Sequence, residues 1–348
     1  MKIQPDFKSS ASRSLLRWLI VLTILLIIPI WGCKKPSQRK APEVPALSER
    51  IALAEVPYFN ADSAYEFVAR QVAFGPRVPN TSAHVKCGIY LTETLRRFTP
   101  YVTVQETRVR AFDGTVLNIK NIIGVFKPEA EARILLCAHW DSRPFADFDP
   151  DPANHRTPIL GANDGASGVG VLLEMARQFS LHPPPVGVDI ILFDAEDYGE
   201  PHGYENPRAE HWALGSQYWS RNPHVPNYRA RFGILPDMVG ATDAVFTFEG
   251  TSMQYAPDIM RRVWDVGHAL GYGSYFLRQN TSPIIHDHYF INKLTGIPVI
   301  NIIHYDAESP SGWFFDQWHT IEDDMDVIDP ISLGVVGRTM LTVVFLEN

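Results

Sequence analysis

Three short apolar segments of the chain end in side chains that bind metals or carry protons. Their polar ends are His139-Trp140-Asp141, Asp194-Ala195-Glu196-Asp197 and Pro236-Asp237. Apolar runs of this length are typical of buried strands, and in open α/β sheets ligands gather beyond the carboxyl ends of the strands. We therefore expect these imidazole and carboxylate groups to meet at one edge of a sheet.

Two more groups extend this set. Asp164 lies in a glycine-rich stretch, 161–168, that opens a predicted helix, so its carboxylate faces the positive end of the helix dipole. His319 follows Trp318 in a predicted loop near the C-terminus. Alone, an aspartate at a helix start is usually a cap, and a loop histidine is usually just solvated. Together, carboxylate and imidazole ligands without thiolates favour a catalytic zinc that keeps one position open for substrate.

The elements that must hold these groups alternate between helix and strand. Helical apolar spacing covers residues 62–74, 82–98, 166–179, 257–270, 286–294 and 330–345, and strand-like runs cover 102–109, 116–126, 133–138, 188–193, 232–235 and 297–303. This alternation predicts a single α/β domain with a mixed, mostly parallel sheet. Two segments without periodicity, 141–160 and 196–227, are rich in Pro, Asp, His and Trp, and loops of that length inside a domain are usually functional.

Composition excludes several classes of protein. The 348 residues are 45% hydrophobic and 20% charged, the balance of a globular chain long enough to bury a large core. Because 31 basic residues stand against 39 acidic ones and the net charge is −8, nonspecific binding to nucleic acid is not expected. Three cysteines cannot form a disulfide framework, and Cys137, in an apolar run, is predicted to be a buried, inert thiol.

The N-terminal segment predicts export. Four basic residues precede an apolar run at 18–31, which has the length of a signal peptide and is short for a membrane span. The run ends in Gly32-Cys33 and resembles a bacterial lipoprotein signal, with Cys33 as the lipidated first mature residue. Trp31 departs from that pattern, in which small residues are usual, and the alternative is an uncleaved N-terminal anchor.

This pattern divides the chain into three parts. Residues 1–33 form the signal, 34–57 are predicted to be a flexible tether rich in Lys, Pro, Ser and Glu, and 58–348 form the folded domain. We expect a monomer held by its lipid on a bacterial membrane, facing the periplasm or the cell exterior.

From about Asp62 onward the chain resembles the exported zinc aminopeptidases and their relatives, the glutaminyl-peptide cyclotransferases. The motifs that carry this resemblance are Ala138-His139-Trp140-Asp141-Ser142, Gly161-Ala162-Asn163-Asp164-Gly165-Ala166-Ser167-Gly168, Phe193-Asp194-Ala195-Glu196-Asp197, Leu235-Pro236-Asp237-Met238-Val239-Gly240, Asp287-His288 and Trp318-His319-Thr320. The resemblance implies a mixed sheet sandwiched between helices. It also implies that Asp164, Asp197 and His319 hold a zinc ion and that Glu196 is the general acid and base.

Two enzymes with different metal contents share these motifs. In the peptidases a second zinc is held by His139 and Asp237, with Asp164 bridging, and two zincs activate water for attack on an N-terminal peptide bond. In the cyclases the matching residues remain but bind no second zinc, and one zinc polarises the γ-carboxamide of an N-terminal glutamine while the substrate's own amine attacks. A third alternative is a zinc-free binding protein of the same fold, although all five ligand positions are filled here.

Aromatic residues favour the cyclase. The cyclases carry Trp before the zinc histidine, where the aminopeptidases typically carry Tyr, and here that residue is Trp318. Trp212 is a second expected wall of the substrate pocket. The resemblance further assigns catalytic roles to Asp237 and Asp287. One departure is His286, which replaces the first of the two aspartates that cyclases carry in this stretch and cannot share a proton as paired carboxylates do.

Overall fold

The computed structural model describes residues 46–347. The predicted signal and Cys33 lie outside these residues. A six-stranded sheet forms the centre, with strands β1 (Val102–Arg110), β2 (Val116–Phe126), β3 (Arg133–His139), β4 (Gly187–Phe193), β5 (Phe232–Asp237) and β8 (Val299–Ile303) in the spatial order β1-β2-β4-β3-β5-β8. The first two pairings are antiparallel and the other three are parallel. The predicted mixed sheet is confirmed.

Helices cover both faces of this sheet. They are α2 (Ala61–Val72), α3 (Ser82–Phe98), α4 (Ala166–Leu181), α7 (Pro257–Ala269) and α9 (Pro330–Phe345) on one face, and α5 (Leu214–Arg221) and α8 (Asp287–Thr295) on the other. Each face carries a hydrophobic core cluster, a larger one on the first face and a smaller one on the second. Because successive strand residues point to opposite faces, Leu136 packs in the larger core cluster and Leu135 in the smaller core cluster. Each such fully buried leucine stabilises the fold by about 1.5–3 kcal/mol. The helix-covered sheet agrees with the prediction.

Several short elements were not predicted. A helix, α1 (Leu47–Leu53), lies in the segment expected to be a tether, and Leu47 packs against the larger core cluster. Strands β6 (Phe246–Phe248) and β7 (Phe276–Asn280) form a separate two-stranded sheet, and α6 (Gly250–Tyr255) follows β6. These elements have three to seven residues, too few to show a hydrophobic period in the sequence.

The parallel strands bring the polar motifs to one edge. His139 of β3 pairs in register with Phe193 of β4, and Leu136 of β3 pairs with Ile234 of β5. The residues that follow these strands therefore lie side by side at the carboxyl edge of the sheet. Cys87 and Cys137 are buried and free, which agrees with the thiol predicted for Cys137. Within residues 46–347 each helix is too short or too polar to cross a membrane.

Candidate active site

Asp164, Asp197 and His319 come together at this edge. One ligand atom from each lies within 4.8 Å of the others. The Nε2 atom of His319 is 3.5 Å from Asp164 Oδ2 and 3.4 Å from Asp197 Oδ1, distances that suit side chains arranged around one tetrahedral zinc with bonds near 2.0–2.2 Å. The structure thus groups the three predicted ligands, and all three are buried.

The Asp164 carboxylate is left free by the way its helix begins. The N-cap of α4 is Gly165, with φ +91°, and no side chain caps the helix. A Cβ at this position would lie 2.8 Å from the Asp141 carbonyl oxygen and is further disfavoured by the positive φ. The backbone N–H groups of Asn163 and Asp164 donate instead to Asp323. Asp164 does not cap the helix, so its carboxylate is available as a metal ligand.

The loop after β4 is fixed by two buried aspartates. Asp141 accepts hydrogen bonds from the N–H groups of Glu196 (3.1 Å) and Asp197 (3.2 Å). Asp194 accepts from the N–H of Ala195, which has φ +52°, and pairs at 2.8 Å with Nε2 of His84. This left-handed residue redirects the chain at the end of the strand, as is common for strained backbone at functional sites.

His319 is held by residues whose roles were not predicted from the sequence. It too is left-handed, with φ +55°, and its Nδ1 lies 3.3 Å from Asp147 Oδ1. Arg143 joins Asp147 through two hydrogen bonds (2.7 and 2.8 Å) and contacts Asp197 Oδ1 at 3.2 Å. Both residues lie in segment 141–160, whose length and lack of periodicity had marked it as functional without indicating individual residues.

A second cluster adjoins the triad. His139 Nε2 is 3.1 Å from Asp164 Oδ1 and 3.2 Å from Asp237 Oδ1. The three atoms lie within 4.8 Å of one another, so these side chains could hold a second metal ion. The other oxygen of Asp237 is 3.3 Å from Nε2 of His286. His286 therefore lies directly in the site, where the cyclases carry an aspartate.

Glu196 lies between the two clusters without belonging to the triad. Burial raises the pKa of its carboxyl well above the usual value, although the imidazoles of His286 and His139 act in the opposite direction. His286 Nε2 is 3.7 Å from Glu196 Oε1. Despite its burial, the carboxylates of Glu196 and Asp237 raise the pKa of His286 to about 10. A carboxyl with a raised pKa in a cleft has the properties of a general acid and base.

A cavity of about 210 Å³ opens above these groups. Its polar lining consists of the triad with Glu196, Asp237 and His286, and its apolar lining consists of Trp212, Met238, Ile284, Ile285, Ile303, Phe314 and Trp318. The ring of Trp318 stacks on His319, with centroids 3.6 Å apart and planes 23° apart. The apolar wall residues other than the two tryptophans were not predicted, because nothing in a strand or loop sequence distinguishes a pocket wall from core.

Like His139, Asp287 is a predicted site residue that does not line this cavity. It is fully buried at the first position of α8, behind His286. Burial raises the pKa of its carboxyl, against the imidazole of His286 and the Ser216 hydroxyl. Its influence on the site is therefore through the charge it presents to neighbouring imidazoles.

The triad fits a zinc ion. Asp197 Oδ2 is buried and has no hydrogen-bond partner among residues 46–347, which is a costly state for a carboxylate oxygen. Burial, and after it the charge of Asp197, also raise the pKa of Asp164. A divalent cation between these groups would give Asp197 Oδ2 a partner and would favour the ionised form of Asp164.

Comparisons with known proteins agree with this geometry. Residues 121–344, more than half of the chain, match the family model of Peptidase family M28. A solved structure of Bacteroides thetaiotaomicron glutaminyl cyclase bound to N-acetylhistamine has 54% identity and a TM-score of 0.82, covering 84% of this chain and 100% of that one. A Zn-dependent exopeptidase from Parabacteroides distasonis has 52% identity and the same TM-score, covering 83% and 99%.

A curated relative is more distant. The glutaminyl-peptide cyclotransferase of Gloydius blomhoffii is 27% identical over 256 residues, which is 65% of each chain. The chain therefore spans about two thirds of the length of that relative. Both enzymatic activities considered from the sequence appear among the names of these similar proteins.

Proposed function

We propose that the chain, which belongs to peptidase family M28, is a zinc-dependent glutaminyl-peptide cyclotransferase that converts N-terminal glutamine to pyroglutamate and releases ammonia. The observation that carries the proposal is the small cavity with Trp318 stacked on the zinc histidine. At about 210 Å³ it is smaller than the roughly 300–1,000 Å³ pockets that take drug-sized ligands. It suits one flat, uncharged side chain between the aromatic surfaces of Trp212 and Trp318.

Asp164, Asp197 and His319 would hold one zinc ion. When bound there, zinc acts as a Lewis acid on the γ-carboxamide of the substrate. Arg143 and Asp147 keep two of these ligands in place through the contacts described above. The apolar walls limit the access of water, which reduces hydrolysis in competition with attack by the amine.

Glu196 moves the proton. The α-amine of the substrate attacks the carbonyl carbon of the γ-carboxamide (Cδ of the glutamine), a ring C–N bond forms, and the C–N bond to the carboxamide nitrogen breaks. Glu196 takes a proton from the amine and gives it to the departing ammonia, so it ends the cycle in its starting state. His286 contacts both Glu196 and Asp237, so this imidazole and the Asp237 carboxylate set the charge beside the proton carrier, and the charge of Asp287 acts on Glu196 as well.

A specific observation keeps a second function open. His139, Asp164 and Asp237 are close enough for a second zinc, and a two-zinc aminopeptidase would use that pair of ions to activate water. The position of His286 favours one zinc, because neighbouring carboxylates raise the pKa of this imidazole and a cationic ring 3.3 Å from Asp237 Oδ2 disfavours a second cation beside it.

Products and metal content separate these functions. Purified protein is given Gln-Ala and Leu-Ala dipeptides, ammonia and free amino acids are measured, and bound zinc is counted. The proposal expects ammonia with a pyroglutamyl product from Gln-Ala and one zinc per chain. Free amino acids from Leu-Ala together with two zincs would establish the aminopeptidase, and zinc-free, inactive protein would establish a binding role. Asp197→Ala, which removes a triad ligand, should lose ammonia release.

We also propose that the protein is exported and monomeric, with a lipid on Cys33 that holds it on the membrane. The support is the signal-like sequence that ends in Gly32-Cys33. Cys33→Ser should lose labelling by a radioactive fatty acid and leave the membrane fraction, whereas Ser37→Ala should behave as wild type. Continued membrane association of unlabelled Cys33→Ser would indicate an uncleaved anchor. Light scattering tests the monomer.

A further inference from the structure

We infer that Arg143 is a positioning residue that links the zinc ligands to the aromatic wall of the substrate cavity. This inference rests on the proposed function for the identity of the substrate, but its metal-binding part is independent of the reaction. It follows from where the guanidinium directs its donors and from what lies against its face.

Arg143 is buried, and its N–H groups donate hydrogen bonds to residues of the site. Nε and Nη2 hold the two oxygens of Asp147 at 2.8 and 2.7 Å. Nη1 reaches Asp197 at two points, its carbonyl oxygen (3.1 Å) and its Oδ1 (3.2 Å). A planar guanidinium presents this fork of donors in a fixed geometry, which a lysine ammonium cannot reproduce.

Asp147 links Arg143 to another zinc ligand, His319. Its Oδ1 lies 3.3 Å from Nδ1 of His319, while His319 Nε2 faces Asp164 and Asp197. A carboxylate on the far nitrogen of a metal-binding imidazole fixes the tautomer and the ring orientation. One guanidinium therefore positions Asp197 directly and His319 through Asp147.

The face of Arg143 supports the substrate wall. Its guanidinium carbon is 4.8 Å from the ring centroid of Trp212, a cation–π contact in which the cation is buried. Trp212 also packs on Gly199, where a Cβ would lie only 2.2 Å from the indole. Arg143 further donates to the carbonyl oxygen of Glu200 (3.1 Å), which fixes the same loop. The indole is thus held between this loop and a side chain bound to a zinc ligand.

This arrangement predicts different effects for two substitutions. Arg143→Lys keeps the charge but loses the fork and the planar face, so it should weaken zinc binding about 10–100-fold and also raise KM for a Gln peptide in excess zinc. Asp147→Asn keeps the shape but removes the charge facing His319. It should weaken zinc binding by a similar factor with a smaller rise in KM, because the contact of Arg143 with Trp212 persists.

The experiment measures zinc affinity by competition with a chromophoric chelator, without any turnover, and then KM and kcat for Gln-Ala in excess zinc. Asp151→Asn, an exposed aspartate of the same segment, is the matched control and should bind zinc as wild type. Folding is checked by circular dichroism. If Arg143→Lys fails to fold, the zinc affinity of Asp147→Asn tests the metal-binding part of the inference. Wild-type zinc affinity in both variants, or an unchanged KM in folded Arg143→Lys, would overturn the inference. Absence of ammonia release with weakened zinc binding would contradict the proposed function only.

Discussion

Glu196 is buried, has a raised pKa and lies outside the metal triad. Glu196→Gln keeps its shape and removes the proton carrier, so turnover should fall about 10²–10⁴-fold while zinc content stays that of wild type. Glu205→Gln, in an exposed part of the neighbouring loop, is the control and should retain full turnover. Ammonia release by Glu196→Gln at the wild-type rate would eliminate the mechanism.

We predict that Trp318 contributes to substrate binding through its aromatic surface. It contacts Phe148 (4.6 Å) and Phe314 (4.8 Å) and stacks on His319. Trp318→Ala should weaken substrate binding by about 1–3 kcal/mol through lost aromatic burial, measured as a rise in KM with zinc content checked in parallel. Trp313→Ala is the matched control, because Trp313 is 42% exposed and does not line the cavity. An unchanged KM in Trp318→Ala would remove the argument for a glutamine pocket.

At this scale the sequence predicted the ligands better than their supports. Asp237 and His139 end strands and Asp197 follows one, so the geometry of a parallel sheet brings the three together without knowledge of the loops. Arg143 and Asp147 act across a loop, and their partners His319 and Asp197 are distant in sequence. Nothing in an aperiodic segment specifies which charged residue turns inward, so these two residues required the structure.

At the scale of elements, the periodic spacing of hydrophobic residues predicted the long helices and strands well and the short ones poorly. The predicted helices at 82–98 and 330–345 coincide with α3 and α9. In contrast, α5 lay unnoticed inside the aperiodic segment 196–227, because it has eight residues and starts from Ala213, a left-handed residue with φ +54°. It nevertheless packs Trp219 in the smaller core cluster, so tertiary contacts rather than local pattern stabilise it.

Glu249 joins α6 to the turn that carries His286. Its carboxylate accepts from the N–H groups of Thr251, Ser252 and Ile284, and it pairs with His288 at 3.0 Å. Burial alone would raise its pKa, but the His288 imidazole and these hydrogen bonds lower it from 4.5 to about 2. A carboxyl with a depressed folded pKa stabilises the protein above the unfolded pKa, and this contribution is lost as pH falls from about 4.5 to about 2.

The expected outcome concerns the free energy of unfolding. Glu249→Gln should lower it by about 3 kcal/mol at pH 7, and the difference from wild type should narrow as pH is lowered from 5 to 3. Urea unfolding at several pH values measures this, and both proteins keep the same metal site. Glu131→Gln, at an exposed position, should follow the wild-type curve. A difference that is constant with pH would show that the effect is packing and not charge.

For the whole molecule, the main feature is a concentration of buried acidic groups at one edge of the sheet. Asp141, Asp164, Glu196, Asp197, Asp237 and Asp287 are all buried there. Arg143 and the imidazoles compensate part of this charge, yet the pKa of Asp164 is raised by burial and by the charge of Asp197. Uncompensated buried charge is costly, so the fold without a cation stores unfavourable energy at its active site.

Zinc removal should therefore destabilise the entire domain and not only stop turnover. A ligand that binds only the folded state stabilises it by about 4 kcal/mol at a free concentration of 1,000 times its Kd. For a domain of this size, that corresponds to a fall in Tm of about 5–10 °C on chelation, reversed when zinc is restored. His319→Ala lacks one triad ligand, so its Tm should respond far less to chelator or zinc. Thermal unfolding followed by circular dichroism measures both proteins, and a wild-type Tm that is indifferent to chelation would contradict a structural contribution of the metal, because the buried carboxylates would then be satisfied without it.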